Sequence, residues 1–449
     1  MSMRLVLRGR EPRWLAPVLV LVAVVIVYLL TAGPIRGAGA NPQAAYQRYI
    51  VTPLTQTTSL TEVVLAAIPI LFTGLAVAVA FRSGYWNIGA EGQFLAGAIG
   101  ATAPGLYLPN LPGPLAIPLA LVAGALAGVL WSLVPALLRT RYRIDEVVTT
   151  LLLNPVALLL VQGLLNGPWR NSTSGFPVSN NLGAGYRMPL AIPGSRVHLG
   201  VVIAAVLAIA IWLVMSRTAT GLRARAVGLS PDAARFSGIS VRKTLLRSAL
   251  ISGAIAGLGG ADQVLGVGHK LSQEVSSSYG YTGIVVATLG ALTAGGVVLV
   301  ALLLGDITVG AQNASLVLQL PPQMGEIVSS LLMLAVISML VLRRYKVSWR
   351  RDRSGALAAA DAPGGGGAAG PPGPPGSVSA AQSHDPASAL PSMTASTAAP
   401  DSVSRAVSPP ASAADIASPG APSSSKTPLE QQLSTPDATV GTPGEEETV

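Results

Sequence analysis

The sequence predicts an all-α protein, a polytopic membrane helical bundle of about ten transmembrane helices over residues 1–353, with N- and C-termini cytoplasmic and a disordered tail over 354–449. Three observations predict it. Only 11% of the 449 residues are charged and mean hydropathy is +0.55; soluble domains run to about a quarter charged residues, so a soluble chain of this kind could not cover its own surface. Apolar stretches of bilayer length recur through residues 1–353. Basic residues cluster between alternate stretches.

A bilayer core takes about 20 mostly apolar residues per helix. Such stretches lie at 14–32, 62–81, 88–108, 114–138, 146–166, 198–215, 247–266, 279–294, 296–315 and 326–342. The third and eighth are rich in glycine and equally fit broken or re-entrant segments. The first has an Arg-rich flank and is followed by the small residues Ala38, Gly39 and Ala40, as a cleaved signal peptide would be. Its apolar run is long for that role and reads as a retained anchor. With the N-terminus inside, 21 Lys and Arg fall in the inside segments and six in the outside ones. That is the positive-inside bias of a membrane protein, and it accounts for the net charge of +9 without nucleic acid. The loops at 33–61 and 167–197 are then outside.

From Ser354 onward the chain turns to Ala, Pro, Ser, Gly and Thr, with no Phe, Tyr or Trp. A segment of that composition cannot bury enough apolar area to offset its ordering entropy.

Several chemistries are excluded. There is no cysteine, hence no disulfide or thiolate site. His198, His269 and His384 lack metal-ligand spacing, so no metal site is expected. The phosphate-binding loop Gly-x-x-x-x-Gly-Lys-Ser/Thr is absent, as are Gly-x-Ser-x-Gly and His-Glu-x-x-His. No soluble catalytic domain separates the spans. An enzyme is not expected, and no cofactor is expected on this chain.

Three segments carry more than hydrophobicity. The first, 82–94, places Asn87, Glu91 and Gln93 beside Gly84, Gly89 and Gly92, which permit tight turns. A carboxylate at membrane depth is costly and faces a protein interior or water; an interfacial turn with Glu91 paired to Arg82 is the bland alternative. The second, 145–154, repeats Glu146, Thr149, Thr150 and Asn154 at three- to four-residue spacing, on one helix face. Such a polar stripe is either interhelical glue or a pathway lining. The third, 220–246, is the most basic inside segment. There Ser230 can cap a helix opened by Pro231, with Asp232 in its first turn, Arg235 within it and Gly238 as its stop. Two turns of helix are not stable alone, so this one needs a docking partner. Gly124/Gly128 and Gly253/Gly257 read as ordinary helix-packing pairs.

Together the runs Asn87-Ile-Gly-Ala-Glu-Gly-Gln93, Glu146-Val-Val-Thr-Thr-Leu-Leu-Leu-Asn154, 228–238 and Tyr279-Gly-Tyr-Thr-Gly-Ile284 resemble the permease subunits of ATP-binding-cassette (ABC) importers of the ribose and branched-chain amino-acid type, and most of all their nucleoside and simple-sugar branch. The likeness covers about 41–345; Pro155 departs from it, and the tail is foreign to it. The resemblance implies two permeases, as a homo- or heterodimer, forming the translocation pathway in a cell membrane. It implies two cytoplasmic ATPase subunits that hold the ATP and bind coupling helices, here 230–237 with Gly228 just before. It implies an extracytoplasmic solute-binding protein. Nucleosides are the expected cargo, with a pentose or other simple sugar, or a branched-chain amino acid, as alternatives. An ion-coupled secondary transporter is the alternative from another class. Asn87, Glu91, Gln93, Glu146, Thr150 and Asn154 are the candidate pathway residues.

Overall fold

The computed structural model describes residues 2–7 and 15–350. The tail expected over 354–449 lies outside the described residues.

In lipid a backbone N–H or C=O has no solvent partner, so each span must satisfy its own groups and becomes a helix. In chain order these are α1 Leu15–Gly37; two short helices, α2 Pro42–Tyr46 and α3 Thr52–Thr55, joined by a π-turn; α4 Thr57–Arg82; α5 Ala90–Tyr107; α6 Gly113–Tyr142; α7 Glu146–Asn166; α8 Gly200–Arg217; α9 Ala219–Leu229; α10 Pro231–Phe236; α11 Val241–Asp262, prolonged by the π-turn Gln263–Gly268; α12 Tyr279–Leu289; α13 Ala294–Leu318; and α14 Pro322–Arg344. The strands β1 Ser2–Leu7 and β2 Tyr345–Arg350 pair antiparallel, with Ser2 opposite Arg350, which brings the two ends of the described chain to one side.

A helix stands at each of the ten expected stretches, but ten complete spans are not confirmed. Among the described residues six helices, α4, α6, α7, α8, α11 and α13, are long and apolar enough to cross, and α1 with 42–55, bent by 118°, counts as a seventh if the pair is one span. The eighth stretch takes its broken form. Its helix, α12, has 11 residues, about 16 Å at 1.5 Å per residue, against a hydrocarbon core of about 30 Å. Lys270, Gln273, Glu274 and the serines 276–278 lie just before it. The hydroxyl of Thr73, two-thirds of the way along α4, donates to the Tyr279 carbonyl at 2.8 Å. At the far end Arg82 donates to the Leu292 carbonyl at 3.3 Å. So α12 is a half-helix running from mid-membrane to the Arg82 end. The third stretch also starts inside the bundle: after Arg82 the chain runs non-helically and α5 begins at Ala90.

The core inverts the pattern of a soluble protein. On α6 the buried face is a ladder of small residues, Ala116, Ala120, Gly124, Gly128, Ser132 and Ala136, whereas Leu115, Leu119, Leu126 and Leu130 point outward. α11 answers with Ala249, Gly253, Gly257 and Ala261. Apolar attraction cannot hold helices together in lipid, but close backbone contact can. A Cβ on Gly97 of α5 would strike the Gly257 backbone, and one on Gly128 would strike Gly253.

The two ends of the bundle differ in charge. Arg139, Arg143, Arg235 and Arg242 gather around one cavity of about 690 Å³. At the opposite end the 167–199 loop folds over the outer ends of α5 and α11: Leu182 N donates to the His269 carbonyl and Met188 N to the Leu265 carbonyl. There burial, then the nearby charge of Arg187, hold His269 below the ordinary histidine range.

Candidate pathway and coupling surface

The six candidate pathway residues are all buried, and the structure brings five of them, all but Glu146, to the interrupted starts of α5 and α12. Asn87 Oδ1 accepts from Gly89 N at 3.0 Å, and its amide donates to Gln93 at 2.9 Å and to Ser252 of α11 at 2.8 Å. Ser252 in turn donates to the Ala76 carbonyl at 2.7 Å. Asn154 reaches over from α7. Its oxygen accepts from Gly92 N at 2.9 Å, and its amide donates to the Ile88 carbonyl at 2.9 Å and the Tyr281 hydroxyl at 3.1 Å. Thr150 Oγ1 accepts from Ile88 N at 3.2 Å. The non-helical stretch before α5 therefore has its backbone groups met by side chains of α7, which is what permits irregular backbone at membrane depth.

Glu91 does the corresponding work for α12. Its carboxylate accepts from Gly280 N at 2.7 Å, in the first turn of that half-helix. The positive end of the α12 dipole favours a negative group there. The close approach needs glycine at 280, where a Cβ would meet the backbone of Glu91. The alternative of Glu91 paired to Arg82 is set aside by this geometry. Glu146 stands apart from the others, toward the basic end. It pairs with Arg139 at 2.9 Å and accepts from Trp86 N at 3.4 Å.

Open surface lies beside this knot. Ser277, Ser278, Tyr281 and Thr288 are exposed on and before α12, and Trp86 is exposed before α5. Sequence reading missed these groups, together with the bridging Ser252. The polar triplet at 276–278 directly before a glycine-rich apolar run was the available signal. Two buried carboxylates belong to neither group. Asp306 has no hydrogen-bond partner among the described residues. Asp262 Oδ1 lies 3.8 Å from His198 Nδ1. That nitrogen already accepts from Gly200 N at 3.1 Å, so the ring is not a charged partner through it.

The third segment forms the short helix expected of it. Ser230 Oγ accepts from Ala233 N at 3.3 Å, Pro231 opens α10, and Asp232 pairs with Arg235 at 3.0 Å. Gly238, at φ +78°, ends it: Gly238 N donates to the Arg235 carbonyl and Ile239 N to the Ala234 carbonyl. The preceding helix α9 was not expected; its basic content had read as loop. Phe236 at the end of α10 is 96% exposed, so α10 presents an aromatic ring to whatever lies beyond. Gly228, at the end of α9, sits against the turn after α4. A Cβ there would strike the Arg82 carbonyl, and one on Gly84 would lie 3.4 Å from the Gly228 Cα.

Residues 59–337 match the family described as "Branched-chain amino acid transport system / permease component". The chain belongs to this family. It is a multi-pass membrane protein and a transport component. A glucose ABC transporter permease protein of Haloferax volcanii is 35% identical to it, over 80% of this chain and 97% of its own length. A guanosine ABC transporter permease protein of Bacillus subtilis is 36% identical, over 61% and 80%. A nucleoside ABC transporter permease protein of Lactococcus lactis is 30% identical, over 76% and 95%. The permease thus sits among sugar and nucleoside relatives, the branch its motifs resemble.

Proposed function

We propose that this permease is one of two that form the pathway of an ATP-driven importer in the plasma membrane, and that its cargo is a nucleoside. The observation that carries the coupling is the seat of Gly228 on the Arg82–Gly84 turn. Only Tyr85 and Trp86 separate that turn from Asn87 and the polar knot. A cytoplasmic ATPase that grips α10 through Phe236 and the basic cavity beside it moves Gly228. That motion passes to the chain just before α5, and the knot carries it to α12 through Glu91 and Asn154. ATP and cargo then bias one two-state element, as coupling requires. The ATP sits on the ATPase subunits; an extracytoplasmic binding protein delivers the cargo, and a second permease completes the pathway.

Cargo would pass along the open face bearing Ser277, Ser278, Tyr281 and Thr288, with Asn87, Glu91, Gln93, Thr150 and Asn154 setting the position of that face. Hydroxyls and an aromatic ring suit a neutral, hydrogen-bonding ring compound, and the Glu91 carboxylate of α5, set at the start of α12, disfavours an anion there. The guanosine and nucleoside relatives support a nucleoside. The glucose relative supports a second reading, a sugar.

The test is uptake by the complete transporter in proteoliposomes, with labelled guanosine competed by unlabelled adenosine, glucose or leucine. Competition by adenosine alone supports the nucleoside; competition by glucose favours the sugar. Gly228→Leu is expected to leave ATP hydrolysis running without guanosine uptake. Retained uptake would overturn the coupling route.

A further inference from the structure

A cavity of about 320 Å³ opens between α8, α9 and α11, against Val79 of α4. Its walls are aliphatic, including Ile211 and Val214 of α8 and Ile255 and Leu258 of α11. One end differs: Arg223 of α9 and Arg247 of α11 line it there, beside the hydroxyls of Thr220 and Thr244. Both arginines are exposed, and neither has a carboxylate within salt-bridge distance among the described residues.

The length of the slot selects its occupant. From Arg247 to Leu258, α11 rises about 16 Å at 1.5 Å per residue. That is about half of a 30 Å hydrocarbon core, the depth of one leaflet. An apolar slot one leaflet deep, with two unneutralised guanidiniums at its headgroup end, matches an anionic phospholipid in charge and length. Basic pockets between transmembrane helices on the cytoplasmic side are sites for such headgroups. Planar guanidiniums suit phosphate oxygens. A protein segment filling the slot would need apolar side chains and an acidic group in the same register.

We propose that this cavity holds one acyl chain of an anionic phospholipid of the cytoplasmic leaflet, its phosphate bound by Arg223 and Arg247. The leaflet, though not the site, rests on the sidedness proposed above. The lipid would lie directly under α9, the helix that carries α10.

The full-length chain, stripped of lipid in non-ionic detergent, is titrated by native mass spectrometry with phosphatidylglycerol and with phosphatidylcholine of the same chains. One saturable phosphatidylglycerol adduct is expected. R223Q/R247Q weakens it about thirty-fold, the combined worth of two basic side chains at a lipid phosphate, and R223K/R247K stays close to the parent. Ala210→Phe, which fills the slot and leaves both charges, also weakens it. Equal binding by the parent and R223Q/R247Q overturns the proposal. So does displacement by millimolar inorganic phosphate, which would mean a phosphate site without a chain, or loss of the adduct on assembly with the second permease, which would mean a protein interface. Binding is read without transport, so failure of the importer reading leaves this test intact. Thr220→Cys, in a chain with no cysteine of its own, is expected to react with an impermeant maleimide only from inside. Reaction from outside, with binding retained, overturns the leaflet and the sidedness together.

Discussion

Glycine serves opposite ends in two regions of this permease. In the α5–α6–α11 trio it lets backbones touch, and a Cβ at Gly97, Gly128 or Gly257 would meet another main chain. In the α9–α10 hairpin, Gly238 has nothing within 4 Å and is needed only for its φ of +78°. The trio is therefore locked by proximity. The hairpin holds its shape through caps and one turn, and its outer face is free. A part that must stay still and a part that must be pushed are both written with one residue type, and only their surroundings tell them apart.

The sharpest way to break this comparison is to add volume to the trio. Gly257→Leu is expected to cost about 3 kcal/mol, read as loss of the folded protein or a large drop in melting temperature in detergent. Leu130→Ala on the outward face of the neighbouring helix should stay within about 0.5 kcal/mol. Equal melting of the two would mean that the trio is not locked. In the hairpin the expected pattern reverses. Phe236→Glu should leave melting unchanged and weaken docking of the ATPase about thirty-fold, as loss of an exposed aromatic anchor does. A destabilised Phe236→Glu chain would show that the ring packs on this permease instead.

Smaller effects sharpen the picture between these extremes. Glu91→Ala leaves Gly280 N without an acceptor and should cost about 1–3 kcal/mol. Glu91→Gln keeps an acceptor and should cost less; equal losses would mean that the charge, not the bond, matters to α12. Arg139→Ala leaves the buried Glu146 carboxylate without its cation and should cost about 1–3 kcal/mol, with high salt weakening the parent in the same direction.

Most of the helices were legible because lipid leaves a long apolar stretch one conformation. α7 falls at 146–166 both as read and as found. The small-residue pairs on α6 and α11 were visible too, since four-residue spacing marks one helix face. What could not be read was which polar groups meet. Glu91 and Gly280 lie 189 positions apart, Asn154 and Tyr281 127 apart. No local pattern encodes such pairs. The glycines of the eighth stretch already allowed a broken segment, but its end was read at 294, past the 290–293 turn, and only the Thr73 and Arg82 contacts mark where the helix starts and stops. α9 was missed because five arginines over 217–242 looked like loop, although Gly221, Ala224 and Val227 give it a buried face.

The Gly84–Gly228 contact has a consequence for how such a protein can change its diet. On the proposed route, the first step from drive to pathway is made of main chain, so no side chain there can be varied to alter what is carried. The serines before α12 and Thr288, by contrast, have no bond to Gly84 or Gly228 and can be exchanged without touching that contact. On that route, cargo preference and power stroke would be separable traits, free to evolve, or to be engineered, one at a time.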